Sequence, residues 1–358
     1  MKFIHCSDLH LDSAFKSLPT EIARVRKEEV ICSFERLCEY ANNNEITAVI
    51  IAGDMFDTLK VSIKTRERVF GAIKNCKNVD FLYVSGNHDK AIFDNEEFIL
   101  PENFKLFSND WTAFNYGNVN ISGVSFDACN TQTIYDTLTL ESDRVNIVVM
   151  HGQVAGYKSN EQAELISIPK LVEKNIDYLA LGHIHEFSSG KIDNRGVYVY
   201  SGCLEGRGFD EIGKKGFVLL EVADKTVNYK FVEFNKRGVF EVEFDVTSIS
   251  SQNDLILSLK EYLSKNYEKD GLFKIILTGE TIPEISFDLP FIVNRLSDIV
   301  FYVKIYDRTS LKINIEDYEF DKTIKGEFIR SVLSSNESEE MKKQIIKCGL
   351  NALKGEEV

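Results

Sequence analysis

The chain has 358 residues, 44% hydrophobic and 11% aromatic, which is material for a packed core and a length that suggests two domains. Its 56 acidic side chains against 42 basic ones leave a net charge of −14, which excludes a protein that coats nucleic acid by bulk electrostatics alone but leaves room for a local basic groove. Seven scattered cysteines (6, 32, 38, 76, 129, 203 and 348) without a C-x-x-C pair speak against a disulfide framework or a zinc cluster, and neither a signal-peptide core nor an 18-residue apolar run occurs, so a cytoplasmic protein without a membrane anchor is expected.

In chain order, short β-branched runs alternate with helical patterns. The predicted strands are 2–6, 48–52, 81–85, 118–124, 146–150, 177–181, 197–201 and 217–222. Thr20 is expected to cap a long helix that buries Ile22, Val25, Ile31, Phe34, Leu37 and Cys38, and a second helix is expected over Ser62 to Asn75. After a meander around 217–245 the pattern restarts as strand VFEVEFDV, helix 252–267, strand LFKIILTG, helix 289–297 and strand IVFYVKIY, a βαβαβ unit. Residues 321–355 read as two helices broken at SSNES, with Met341, Ile345, Cys348 and Ala352 on one apolar face. The expected organisation is an α/β domain over 1–230, a small α/β domain over 236–310 and a C-terminal helical segment over 315–358.

Five motifs follow predicted strands: Asp8-Leu9-His10, Gly53-Asp54-Met55-Phe56-Asp57, Gly86-Asn87-His88-Asp89, His151-Gly152 and Gly182-His183-Ile184-His185. Open α/β sheets gather ligands beyond the carboxyl ends of their strands, so five strand ends can face one cleft. Five of the six histidines lie in these motifs, while His5, inside the first strand, reads as structural. Carboxylates, imidazoles and one amide suit manganese, iron or zinc, and seven or more donors are about right for two ions. Asp54, after a glycine at a strand end, is the natural bridge. No G-x-x-x-x-G-K-[ST] loop is present, so the chain has no ATPase of its own.

The ordered series D-x-H, G-D-x-F-D, G-N-H-D, H-G, G-H-x-H resembles the calcineurin-like metallophosphoesterase superfamily over residues 1 to about 225. Within it, FIHCSDLHLDS and YSGCLEGRGFDEIGKKGFVLLEV are similar to the SbcD and YhaO type of DNA repair exonuclease, the bacterial relative of the meiotic-recombination double-strand-break repair nuclease. The resemblance implies a layered β-sandwich flanked by helices, a capping βαβαβ domain, and two divalent ions, manganese first with iron, magnesium and zinc as alternatives. It implies that Asp8, His10, Asp54 and His185 hold the first ion and Asp54, Asn87, His151 and His183 the second. His88 would be the general acid, and Asp57 would orient it. Arg207, with Lys214 and Lys215 nearby, reads equally as a phosphate contact or as solvated surface.

The implied reaction is hydrolysis of DNA phosphodiesters, as an exonuclease with endonucleolytic cleavage as a further mode. The implied partners are DNA, a coiled-coil ABC ATPase of SbcC or YhaN type docking near the C-terminal helices, and a second copy of the chain. Two rivals stand beside this: a phosphodiesterase for small molecules, and a non-catalytic DNA-end tethering subunit. A protein phosphatase is disfavoured, because G-D-M-F-D-T lacks the expected arginine and G-N-H-D ends in Asp. Two bound divalent ions would bring the charge to −14 + 4 = −10, so DNA affinity must come from the metals, a basic strip, dimerisation or the partner.

Overall fold

The structure, a computed structural model, describes residues 1–58, 60–90, 92–94, 99–126, 130–131, 133–155, 164–282, 285–312 and 318–354; Cys129 and Gly355 lie outside them. The chain divides into two compact units, Met1–Gly238 and Val239–Val358.

The first unit runs β1 (Lys2–Cys6), α1 (Thr20–Asn43), β2 (Ile46–Ala52), α2 (Ile63–Asn75), β3 (Asp80–Val84), β4 (Phe104–Leu106), β5 (Thr112–Tyr116), β6 (Val119–Gly123), α3 (Ile134–Thr137) and β7 (Val145–His151). It continues through β8 (Gln153–Val154), β9 (Leu165–Ile166), β10 (Tyr178–Gly182), β11 (Ser188–Lys191), β12 (Val197–Tyr200), β13 (Gly216–Ala223) and β14 (Thr226–Glu233). Two six-stranded mixed sheets result, ordered β14-β13-β1-β2-β3-β4 and β11-β12-β10-β7-β6-β5. Strand periodicity sorts β2: Ala48, Ile50 and Ala52 join Phe3, Leu82, Val84, Ile147, Val149 and Ala180 in the core between the sheets. The expected layered α/β sandwich is present.

Helix α1 departs from expectation at its start. Pro19, not Thr20, occupies the N-cap. Val25 is exposed and Ile22 only half-buried, while Arg26 and Glu29 are buried ahead of Val30, Ile31, Phe34, Leu37 and Cys38. The reason is an ionic cluster, Arg26 with Glu29 at 2.6 Å and with Glu205 at 3.0 Å, which a count of apolar positions does not register. Ser62 caps α2 by accepting from the Thr65 amide.

His5 is buried between the sheets. The Leu181 carbonyl accepts from Nε2 at 3.2 Å, and Nδ1 accepts from the Tyr178 hydroxyl at 2.9 Å, a neutral tautomer with both nitrogens satisfied. Burial lowers its pKa to about 3. The unfolded chain therefore takes up a proton near pH 6.5 that the folded chain refuses, and stability is lost as pH falls from 6.5 toward 3. From pH 7 to 5.5 the wild type should lose about 1 kcal/mol more than His5→Gln in urea titrations; equal losses in the two would place the acid sensitivity elsewhere.

The second unit pairs β15 (Val239–Asp245), β16 (Leu272–Thr278) and β18 (Tyr302–Asp307) in parallel, with α4 (Gln252–Asn266) and α5 (Leu289–Leu296) as the crossovers. A short parallel pair, β17 (Glu280–Thr281) and β19 (Ser310–Leu311), lies beyond the strand ends. Helices α6 (Ile324–Leu333) and α7 (Glu339–Lys354) pack around a small core of their own, Ile329, Ile346 and Leu350 with Leu311 and Tyr318. The packed face of α7 is thus one residue out of phase with the expected stripe. Ile346 and Leu350 turn inward, Ile345 is half-buried, and Met341 (45% exposed), Cys348 and Ala352 face outward. Among the described residues no helix is long and apolar enough to cross a membrane.

Candidate metal centre

Strands β1, β2 and β3 run parallel in one sheet and β7 and β10 run parallel in the other, so their carboxyl ends converge on one edge of the sandwich. Three of the five motifs leave their strands through strained backbone. Asp8 (φ 51°), His10 (43°), Asp54 (50°) and His183 (96°) all adopt left-handed conformations, which L-residues tolerate when surrounding structure enforces them. Here the enforcement is visible: the Asp8 amide donates to the Gly53 carbonyl at 3.1 Å and the His10 amide to the Asp54 carbonyl at 3.0 Å. The His183 amide donates to Asp8 Oδ1 at 3.0 Å and the His88 amide to Asp54 Oδ1 at 2.9 Å. Gly86 is required by space, because a Cβ there would lie 2.0 Å from Asp54 Oδ1.

Donor atoms of Asp8, His10 and His185 lie within 4.8 Å of one another, as do those of Asp8, Asp54 and His151. The imidazoles point their Nε2 atoms at the centre because their Nδ1 atoms face outer acceptors: His151 is hydrogen-bonded to the Ala52 carbonyl at 2.8 Å and His185 to Glu211 at 2.7 Å, and His10 lies within ion-pair distance of Asp57 at 3.1 Å. His10 Nε2 then faces His185 Nε2 at 3.2 Å, and His151 Nε2 faces Asn87 Oδ1 at 2.8 Å. With Nδ1 as the donor, a neutral ring turns a bare Nε2 to another acceptor at both places, so a proton or a metal cation must sit there. Buried Asp54 Oδ2, 3.3 Å from His151 Nε2, accepts no hydrogen bond in the described structure. The residues therefore fit two divalent ions, and fit them with nitrogen and oxygen donors of the kind manganese, iron or zinc accept.

Charge agrees with geometry. Burial raises the Asp54 carboxyl, but His151, His10 and the His88 amide outweigh it and hold Asp54 well below the ordinary carboxylate range. Burial lowers His151, yet Asp54 and Asp8 push it up to about 9, a proton compensating where a metal can compensate instead.

All seven expected ligand residues come to this edge, and so do Asp57 and Arg207. Asp57 Oδ1 is 3.1 Å from His10 Nδ1 and 3.8 Å from His88 Nδ1, so it holds His10 more closely than His88. Arg207 reaches the centre with its guanidinium engaged by Glu211 at 2.8 Å and Asp57 at 3.2 Å. Lys215 is buried and donates to the His185 carbonyl, whereas Lys214 is exposed beside Glu233. Cys203 is buried against the same carbonyl. Two residues to which the motifs give no role complete the centre, Glu211 from outside the motifs and Asp89 from the end of G-N-H-D. Glu211 is the buried acceptor for His185, and Asp89 accepts from the Phe56 and Gly86 amides, tying two motif loops together. Glu211 follows Arg207 by four residues in RGFDE, but the segment is a turn and not a helix, so that spacing gave no local signal.

The calcineurin-like phosphoesterase family matches residues 1–187, a span that contains every member of both donor groups. An uncharacterized metallophosphoesterase, YhaO of Bacillus subtilis (strain 168), is 27% identical over 308 residues, 81% of this chain and 74% of that one. The DNA double-strand break repair protein Mre11 of Sulfolobus acidocaldarius is 26% identical over 336 residues, 88% of this chain and 85% of that one. Among solved structures, a dimetal phosphatase from Danio rerio aligns with 63% of this chain and 93% of its own at 11% identity and a TM-score of 0.47. With more than half of its length matched and its donors inside the match, the chain belongs to the calcineurin-like phosphoesterases, enzymes that hydrolyse phosphate esters with the help of metal ions.

Proposed function

We propose that this phosphoesterase is a DNA phosphodiesterase of repair or recombination, an exonuclease that also cuts endonucleolytically. The observation that carries this is the reach of the similarity to Mre11. The first unit, 238 of 358 residues, is about two-thirds of the chain, so an alignment covering 88% of it must extend into the second unit. The second unit then serves as the DNA-facing cap. A homodimer, and a coiled-coil ABC ATPase of SbcC or YhaN type, complete the assembly, with the outward residues of α7, Met341 and Cys348, as part of the docking segment.

Asp8, His10, Asp54 and His185 would hold one ion and Asp54, Asn87, His151 and His183 the other, with manganese as the working metal. Bound there, the two ions acidify water and neutralise charge on the phosphate. The protein's own part is to orient and to move a proton. The His183 and His88 amides fix the Asp8 and Asp54 carboxylates, Glu211 and Asp57 fix the rings of His185 and His10, and His88 protonates the leaving oxygen.

The test is hydrolysis by the purified chain with Mn²⁺ of linear duplex DNA, single-stranded DNA, cyclic nucleotides and an aryl phosphodiester. DNA degradation abolished by chelator is expected, and cleavage confined to the small substrates would replace the nuclease reading with that of a small-molecule phosphodiesterase.

A further inference from the structure

We infer that Arg207 is a positioning residue, the brace between two carboxylates that aim the His10 and His185 rings at one metal position. The inference rests on the two-metal reading and adds a role to it. Glu211 Oε1 accepts from His185 Nδ1 at 2.7 Å and from Arg207 Nε and Nη2 at 2.9 and 2.8 Å, and Oε2 accepts from the Arg207 amide at 2.7 Å. Arg207 Nη1 donates across to Asp57 Oδ1 at 3.2 Å, and that oxygen lies 3.1 Å from His10 Nδ1. Nη2 also approaches His185 Nδ1 at 3.4 Å. The result is one chain, His185–Glu211–Arg207–Asp57–His10, closed at its far end by the two Nε2 atoms 3.2 Å apart.

The chemistry favours arginine. A guanidinium presents two edges in fixed geometry and can hold two carboxylates in set directions at once, whereas an ammonium has three donors but no planar fork to fix their orientation. Two carboxylates this close to one another also repel, and the guanidinium between them removes that cost. A fixed positive charge beside Asp57 further disfavours a cation on the His10, Asp57 and His88 grouping, whose donor atoms also lie within 4.8 Å, so Asp57 is left to hold His10. Arg207 is mostly buried, with its three nitrogens turned to carboxylates, which is the disposition of a strut. Outer carboxylates of this kind typically change metal affinity by about 10- to 100-fold when lost.

Calorimetric titration of the full chain with Mn²⁺, alongside KM for DNA at saturating Mn²⁺, tests the brace. In Arg207→Met one of the two Mn²⁺ sites is expected to weaken about 10- to 100-fold with the other and KM little changed, and Arg207→Lys is expected to recover only part of the loss. Glu211→Gln, which keeps the shape and removes the charge, should weaken the same site and carries the test if Arg207→Met does not fold. Wild-type Mn²⁺ affinity in both Arg207→Lys and Glu211→Gln, or a raised KM as the only defect, would overturn the brace and make Arg207 a substrate contact. A wild-type chain that binds no Mn²⁺ would overturn the two-metal reading itself, and the brace with it.

Discussion

His88→Ala is expected to retain two Mn²⁺ ions per chain and to lose about 10²-fold or more in turnover, a barrier increase of about 2.7 kcal/mol. The separation of binding from turnover follows from which atoms of the Gly86–Asp89 loop do what. Its anchors are main-chain groups, the His88 amide on Asp54 Oδ1 and the Gly86 amide on Asp89, and alanine keeps both. The Asp54 and Asn87 donors therefore stay in place. What is lost is an imidazole with 27% of its side chain exposed, edge-on to His10 with ring centroids 4.9 Å apart, beside the donor groups and open to an incoming phosphate. Metal counting by mass spectrometry and single-turnover cleavage of a labelled duplex separate the outcomes. Unimpaired cleavage would remove His88 from the mechanism, and loss of one ion would make it a ligand instead of an acid.

Much of this centre was legible in the chain because each motif begins where a β-branched run stops at Gly, Asp or His, and a strand end is a local feature. What stayed hidden was long-range. Nothing local tells that β7 and β10 belong to one sheet and β1, β2 and β3 to the other, or that Glu211 turns back onto His185. Apolar periodicity misread α1, where Arg26 is buried by a partner 179 residues away, and it misphased α7, where adjacent Ile345 and Ile346 satisfy two faces almost equally well. Strand β14 carries a clear alternation, Val227, Tyr229 and Phe231 against Asn228 and Lys230, but it adjoins β13 so closely that the two read together as one meander.

Arg26→Met should destabilise the first unit by about 3–5 kcal/mol, a large share of the stability of any domain. The Arg26 side chain is fully buried and donates to Glu29 at 2.6 Å, to Glu205 at 3.0 Å and to the Gly206 carbonyl at 2.8 Å. Methionine fills similar space but leaves the equally buried Glu205 with Ser33 and the Lys236 amide as hydrogen-bond donors and Arg36 at 3.9 Å as its nearest cation. An unpaired buried carboxylate is the costly part, so Arg26→Met with Glu205→Gln should recover much of the loss. Trp111 is the sole tryptophan and lies in the first unit, so its fluorescence in urea follows that unit by itself. The same substitution frees the Gly206 carbonyl next to Arg207, and Mn²⁺ affinity at the braced site should fall with stability. A loss below about 1 kcal/mol would mean that water reaches Glu205 and that α1 is not what fixes this loop.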